Sequence, residues 1–224
     1  MQLSSYISFI LVFCIPFIFY INVFVKPRKG FSILFISIIS IIGILNQNFK
    51  IFLGLTLLLI YLYFLEKKLS LIFGISSFFL LSNALIVKNT FFSNMPFLFE
   101  ILIFVLVSSI FSSMMIGHWY LVDPTISKDG MKNISLTAIS TAIIILLFFL
   151  YYRKNFNFDI LTIFSSRTIK NVIIGLLLAT SLLSFGSYKS LAEKSYTGVM
   201  ASTGLSYLAL ILSIGATGAM ILSI

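Results

Sequence analysis

The few charged residues of this chain are not spread along it. They gather in short gaps between long apolar runs. Lys26-Pro27-Arg28-Lys29-Gly30, Asn46 to Lys50 and Glu66-Lys67-Lys68 are the first three gaps, followed by 88–96, 123–133, 153–171 and 188–200. The gaps leave eight apolar runs, at 3–25, 31–45, 51–65, 69–87, 97–122, 134–152, 172–187 and 201–224. About 20 apolar residues in an α-helix span the ~30 Å hydrocarbon core of a bilayer. Only helices and closed barrels satisfy every backbone N–H and C=O there. The pattern predicts an all-α, polytopic transmembrane helix bundle of seven or eight helices, one transmembrane domain over 1–224 with no extramembrane domain.

Composition agrees. Hydrophobic residues make up 60% of the 224, charged residues only 9%, and mean hydropathy is +1.14. A soluble domain is about 25% charged, so soluble and disordered classes are excluded. The formal net charge of +9 does not point to nucleic acid, because the basic residues sit in loops and form no continuous face. The first run has no basic residues before it and no small-x-small site after it, so it reads as a retained helix instead of a signal peptide. Pro16, in its middle, predicts a kink. Runs two and three are short. At 15 residues each spans about 22 Å. They either borrow flanking residues, thin the bilayer, or form a hairpin that does not fully cross.

Lys and Arg counts in short loops set orientation. With both termini outside, the inside loops hold nine basic residues and the outside loops six. The expected location is a bacterial cytoplasmic (inner) membrane. The loop at 153–171 runs against the count, with Arg153, Lys154, Arg167 and Lys170 on the outside. Its Phe156, Phe158, Ile160, Leu161, Ile163 and Phe164 predict that it lies in the headgroup region.

The scarcity of titratable groups limits the chemistry. There are six acids, one His and one Cys. A haem held by two His of one chain is excluded, a Cys/His zinc site lacks ligands, and Cys14 has no intrachain disulfide partner. There is no P-loop and no dinucleotide-binding glycine pattern. No catalytic or metal-binding residue is expected. A quinone or a lipid is the ligand class that stays open.

Two places deserve weight as binding candidates. Glu100 is an acid inside run five, which is either a conducting or binding group or an anchor near the positive end of a helix. Gly117-His118-Trp119-Tyr120, followed by Asp123-Pro124, sits where run five ends. His118, Trp119, Tyr120 and Asp123 form either an interfacial aromatic belt or a headgroup or quinone-ring site with His118 as proton donor. Glu100 and His118 lie 18 residues apart, on one stripe and about 27 Å distant along a helix, so they cannot be an acid/base pair. Between them Ser109, Ser113 and Gly117 recur every four residues, the spacing that lets two helices approach closely. Gly175 with Ala179, Ala209 with Ser213 and Thr217, and Gly215 with Ala219 have the same spacing. Asn22 and Asn83 are single polar residues expected to hydrogen-bond across helices.

Three function classes follow. The first is a non-catalytic membrane subunit or assembly partner that contacts lipid and either other membrane subunits or a second copy. The second is a small permease or channel with its path along run five. The third is a quinone- or lipid-headgroup-binding redox or lipid-modifying component.

Overall fold

The computed structural model describes residues 3–46, 48–65, 70–86, 97–154, 156, 165–193 and 195–222. Among the described residues there are eight helices and no strand: α1 (Leu3–Val25), α2 (Lys29–Leu45), α3 (Phe49–Tyr63), α4 (Ser70–Ile86), α5 (Phe97–Trp119), α6 (Lys128–Tyr151), α7 (Ser166–Ser190) and α8 (Tyr196–Leu222). Helices α1, α5, α6, α7 and α8 are long and apolar enough to cross a membrane, whereas α2, α3 and α4 are shorter apolar helices of 10–17 residues. The chain is therefore the all-α bundle that the apolar runs predict.

Several helices outrun the apolar stretches that announce them. Helix α6 starts at Lys128 and not at 134, α7 covers 166–190 and not 172–187, and α8 starts at Tyr196 and not at 201. Hydropathy marks where side chains leave lipid, while the backbone ladder continues until a cap ends it. Ser165 supplies such a cap, its Oγ accepting from the Thr168 N–H at 3.3 Å. Asp129 in the first turn of α6 complements the positive helix end. The segment 166–171, expected as interfacial loop, is thus the first turns of α7. Phe156 is buried, its ring centred 4.8 Å from that of Phe149. The other aromatic and aliphatic residues expected at the interface, Phe158, Ile160, Leu161, Ile163 and Phe164, lie outside the described residues.

The chain divides into two compact units. One comprises Met1–Thr90 with Asp123–Gly130, the other Phe91–Val122 with Met131–Ile224. In the first, α3 and α4 form the most extensive pair, and α1 packs on α4. A Cβ placed on Gly54 of α3 would lie 2.6 Å from Leu81 Cγ, so only glycine permits this approach. Ser77 of α4 donates to the Gly54 carbonyl at 2.8 Å. Helix α1 continues as α-helix through Pro16 to Tyr20. It leaves α geometry only in a π-helical turn over Ile21–Val25, closed by Lys26 in a left-handed conformation at φ 53°. That turn carries Asn22, whose Nδ2 donates to the Tyr61 hydroxyl at 2.7 Å and whose Oδ1 accepts from Ser32 at 2.8 Å. One amide therefore ties α1 to both α2 and α3.

In the second unit α7 and α8 pack along one another, and α5 lies against α8. Helix α5 is the most enclosed of the five long helices, with 67% of its most apolar stretch buried against 28–44% in the others. Its apolar residues are spread round the helix, which suits it to burial on more than one face.

Candidate functional site

The second unit holds the densest set of polar side chains among the described residues, and they are hydroxyls. Ser108, Ser109, Ser112 and Ser113 of α5 are all buried. Ser109 satisfies itself by donating to the Leu106 carbonyl at 2.8 Å. Ser113 faces serines of two other helices, 3.5 Å from Ser135 Oγ of α6 and 3.4 Å from Ser206 Oγ of α8. Ser206 donates to the Ser202 carbonyl at 2.9 Å and lies 3.2 Å from Ser187 Oγ of α7. Ser187 is in turn hydrogen-bonded to Ser202 Oγ at 2.7 Å. Four helices thus meet at one cluster of buried hydroxyls. A small cavity lies at its centre, lined by Ile110, Ser113, Ser135, Ala138, Ser184, Ser187 and Ser206. The space open to the centre of a water molecule is ≈ 10 Å³.

One turn beyond Ser113, α5 and α8 are again in close contact. A Cβ on Gly117 would run into Thr203 Oγ1 and would lie 3.1 Å from Thr203 Cβ. The other small residues of the expected seams sit differently. Gly175 is exposed with no heavy atom within 4 Å of a Cβ position, and Ala179 is only half-buried. Gly215 is also exposed, and a Cβ there would make ordinary contact with Leu176 at 3.7 Å. Helix α7 turns its Thr180, Ser184 and Ser187 inward instead, whereas on α8 the stripe Ala209, Ser213 and Thr217 is buried, together with Ser202 and Ser206. Sequence reasoning reached Ser113 but not Ser135, Ser184, Ser187, Ser202 or Ser206. The three- and four-residue spacings Ser184/Ser187 and Ser202/Ser206 were the available signal.

The aromatic end of α5 is split between the two units. His118 is exposed, its ring edge-on to Tyr207 of α8 with centroids 5.6 Å apart. Trp119 is half-buried and Tyr120 buried, the latter 6.2 Å from Tyr196 between ring centroids. Asp123 belongs to the first unit. Its Oδ1 accepts from the Thr125 hydroxyl at 2.6 Å, and its Oδ2 lies 3.5 Å from Arg28 Nε. The Thr125 hydrogen bond, with the Arg28 charge behind it, holds the Asp123 carboxyl below its ordinary value of 3.8. Its carboxylate is therefore engaged in tying the loop after α5 to the loop after α1.

Glu100 is half-buried in the first turn of α5, at the opposite end from His118 on a single unbroken helix. Among the described residues no three His, Cys, Asp or Glu side chains come together as a metal site requires. Cys14 is a buried thiol. Asn83, expected to bond across helices, is exposed and lines an open groove of about 530 Å³ with Lys50, Leu53, Ser76, Phe79 and Leu80.

No protein family, curated protein or solved structure matches this chain.

Proposed function

We propose that the chain is an integral membrane protein that acts as a non-catalytic subunit or assembly partner within a larger membrane complex. One observation carries this reading. The polar side chains of α5, α6, α7 and α8 turn toward one another around a space of only ≈ 10 Å³, too small for a solute larger than water. The same helices present large apolar residues outward, with Leu182 70%, Ile211 63% and Leu147 59% exposed. Lipid tails or the apolar face of a partner cover surfaces of that kind. Glu100 and His118, at opposite ends of α5, do not converge on a reacting centre.

The location that fits is a bacterial cytoplasmic membrane with both termini outside, supported by the nine-to-six excess of Lys and Arg in the inside loops. A small permease is the second reading. It is favoured by the burial of α5, which carries a titratable residue at each end and a serine stripe between. A quinone or lipid headgroup seated against His118 and Tyr207 is the third, favoured by the exposure of His118 beside an aromatic ring.

Mass measurement of the particle extracted from its native membrane in mild detergent tests the subunit reading. The expected result is a stable assembly well above the 25.2 kDa of one chain. A lone chain that conducts solute after reconstitution into liposomes would overturn it in favour of the permease. A lone chain that retains quinone would favour the third reading.

A further inference from the structure

We infer that the serine cluster of the second unit is a binding site for a single water molecule, which links α5, α6 and α7 at the centre of the bundle. The inference does not depend on the subunit reading. It rests on the sizes, distances and valences of the hydroxyls.

Size comes first. A buried site needs about 10–15 Å³ open to a water's centre, with two to four polar partners. The cavity offers ≈ 10 Å³ and five hydroxyls: Ser113, Ser135, Ser184, Ser187 and Ser206. That is room for one water and no larger guest.

Unfilled hydrogen-bonding capacity comes second. Ser184 is 3% exposed, lines the cavity, and its Oγ has no hydrogen-bond partner in the protein. Ser113 is 4% exposed, and its Oγ has only the two long approaches of 3.4 and 3.5 Å. A hydroxyl bond to oxygen is about 2.7–2.8 Å long, so these are gaps and not bonds. Ser135 spends its proton on a loose 3.3 Å contact to the Met131 carbonyl. A dry cavity would thus leave one buried hydroxyl unpaired and another poorly paired, a penalty of the kind that buried polar groups rarely carry. Ser187 and Ser206, by contrast, are held at 2.7 and 2.9 Å and form a fixed wall. A water has two protons and two lone pairs, enough to accept from Ser113 and Ser184 and still donate to the Ser135 oxygen, whose own proton goes to Met131.

Charge excludes the alternative small guest. The lining holds five hydroxyls and two apolar side chains, with no acid. Neutral hydroxyls alone do not repay the desolvation of a monovalent cation in a low-dielectric interior.

The test uses the full chain in lipid nanodiscs. A high-resolution map should show one density peak within hydrogen-bonding distance of both Ser113 Oγ and Ser184 Oγ. An empty cavity between well-ordered serines would overturn the inference. Thermal denaturation supplies a sign. If water is bound, Ser184→Ala removes a used partner and lowers the Tm. If the site is dry, the same change removes an unpaired buried hydroxyl and raises it, which would refute the proposal. Ser112→Ala is the control, because Ser112 Oγ is buried and unpartnered but does not line the cavity. That variant should melt higher than the parent. The Tm should also be equal in sodium and potassium buffers of the same ionic strength. A Tm that rises specifically with one cation would replace water by that ion.

Discussion

Single residues do opposite things in this molecule although their types are the same. Gly117 and Gly175 are both helical glycines in small-residue stripes, yet one meets Thr203 and the other meets nothing. Gly117→Leu should therefore wedge α5 from α8 and cost about 1–3 kcal/mol or more, the range of over-packed cores. Gly175→Ala should instead gain up to ~1 kcal/mol, because alanine is the better helix former and has open space around it. Thermal unfolding of both variants in one detergent checks the contrast, and equal shifts would mean that α5 and α8 do not touch at Gly117. Ser113→Leu belongs with Gly117→Leu, since its bulk would displace the hydroxyls of α6 and α8 around it. Asp123 supplies a pH handle. Its folded-state acidity is raised by Thr125 and Arg28, so its contribution is fully present above the unfolded value near 3.8 and is lost as pH falls below it. The Tm should not respond to this group between pH 7 and 5, and the acid-side loss should shrink in Thr125→Val. An unchanged acid limb in that variant would show that the 2.6 Å hydrogen bond is not what lowers the carboxyl.

Among elements, α5 is the one whose role is most sharply posed. It is the most enclosed long helix, it brings Ser113 to the hydroxyl cluster, and it ends in an acid-bearing turn at one side and His118 at the other. Glu100→Gln and His118→Asn keep size and hydrogen bonding but remove the titrating proton. If the chain is a packing subunit, both variants should enter the assembly at wild-type abundance, as quantified on native gels, and leave its activity within about twofold. Normal assembly with abolished activity would identify α5 as a working path. Helices α2 to α4 raise a different question, because they are the shorter apolar helices and yet expose Ile44 at 79% and Phe49 at 80%. Their apolar surfaces need cover, which a thinned bilayer or a partner supplies.

For the whole molecule, the orientation proposal makes the loop after α1 and the loop after α7 cytoplasmic. Lys29 and Lys189 are both exposed, whereas Ser187 at the end of α7 is buried in the hydroxyl cluster and is no site for labelling. Lys29→Cys and Lys189→Cys should resist a membrane-impermeant maleimide added outside intact cells and react after permeabilisation. The native thiol, Cys14, is fully buried and should contribute no background. Labelling of position 29 from outside would invert the proposed topology.

What the amino-acid order determines by itself is the helical class and the approximate number of helices. Apolar runs this long, separated by charged gaps, outrun the ~10-residue strands of a membrane barrel and leave the helix as the way to satisfy the backbone in hydrocarbon. Helix ends were less legible, because polar residues such as those at 128–133 and 166–171 continue the ladder beyond the apolar boundary. The serine stripe of α5 was visible from its period, since a four-residue repeat fixes a common face. Which face of α7 and α8 would meet it was not. Small residues occur on several stripes of both helices, and only packing chose the α7 face with Ser184 and Ser187 over that with Gly175, and the α8 face with Ser213 and Thr217 over that with Gly215. Asp123 shows the same limit, for adjacency in sequence placed it beside His118 while the fold gave its carboxylate to Thr125 and Arg28. Periodicity encodes what shares a face of one helix. Partnership between helices depends on tertiary contacts that no single helix carries.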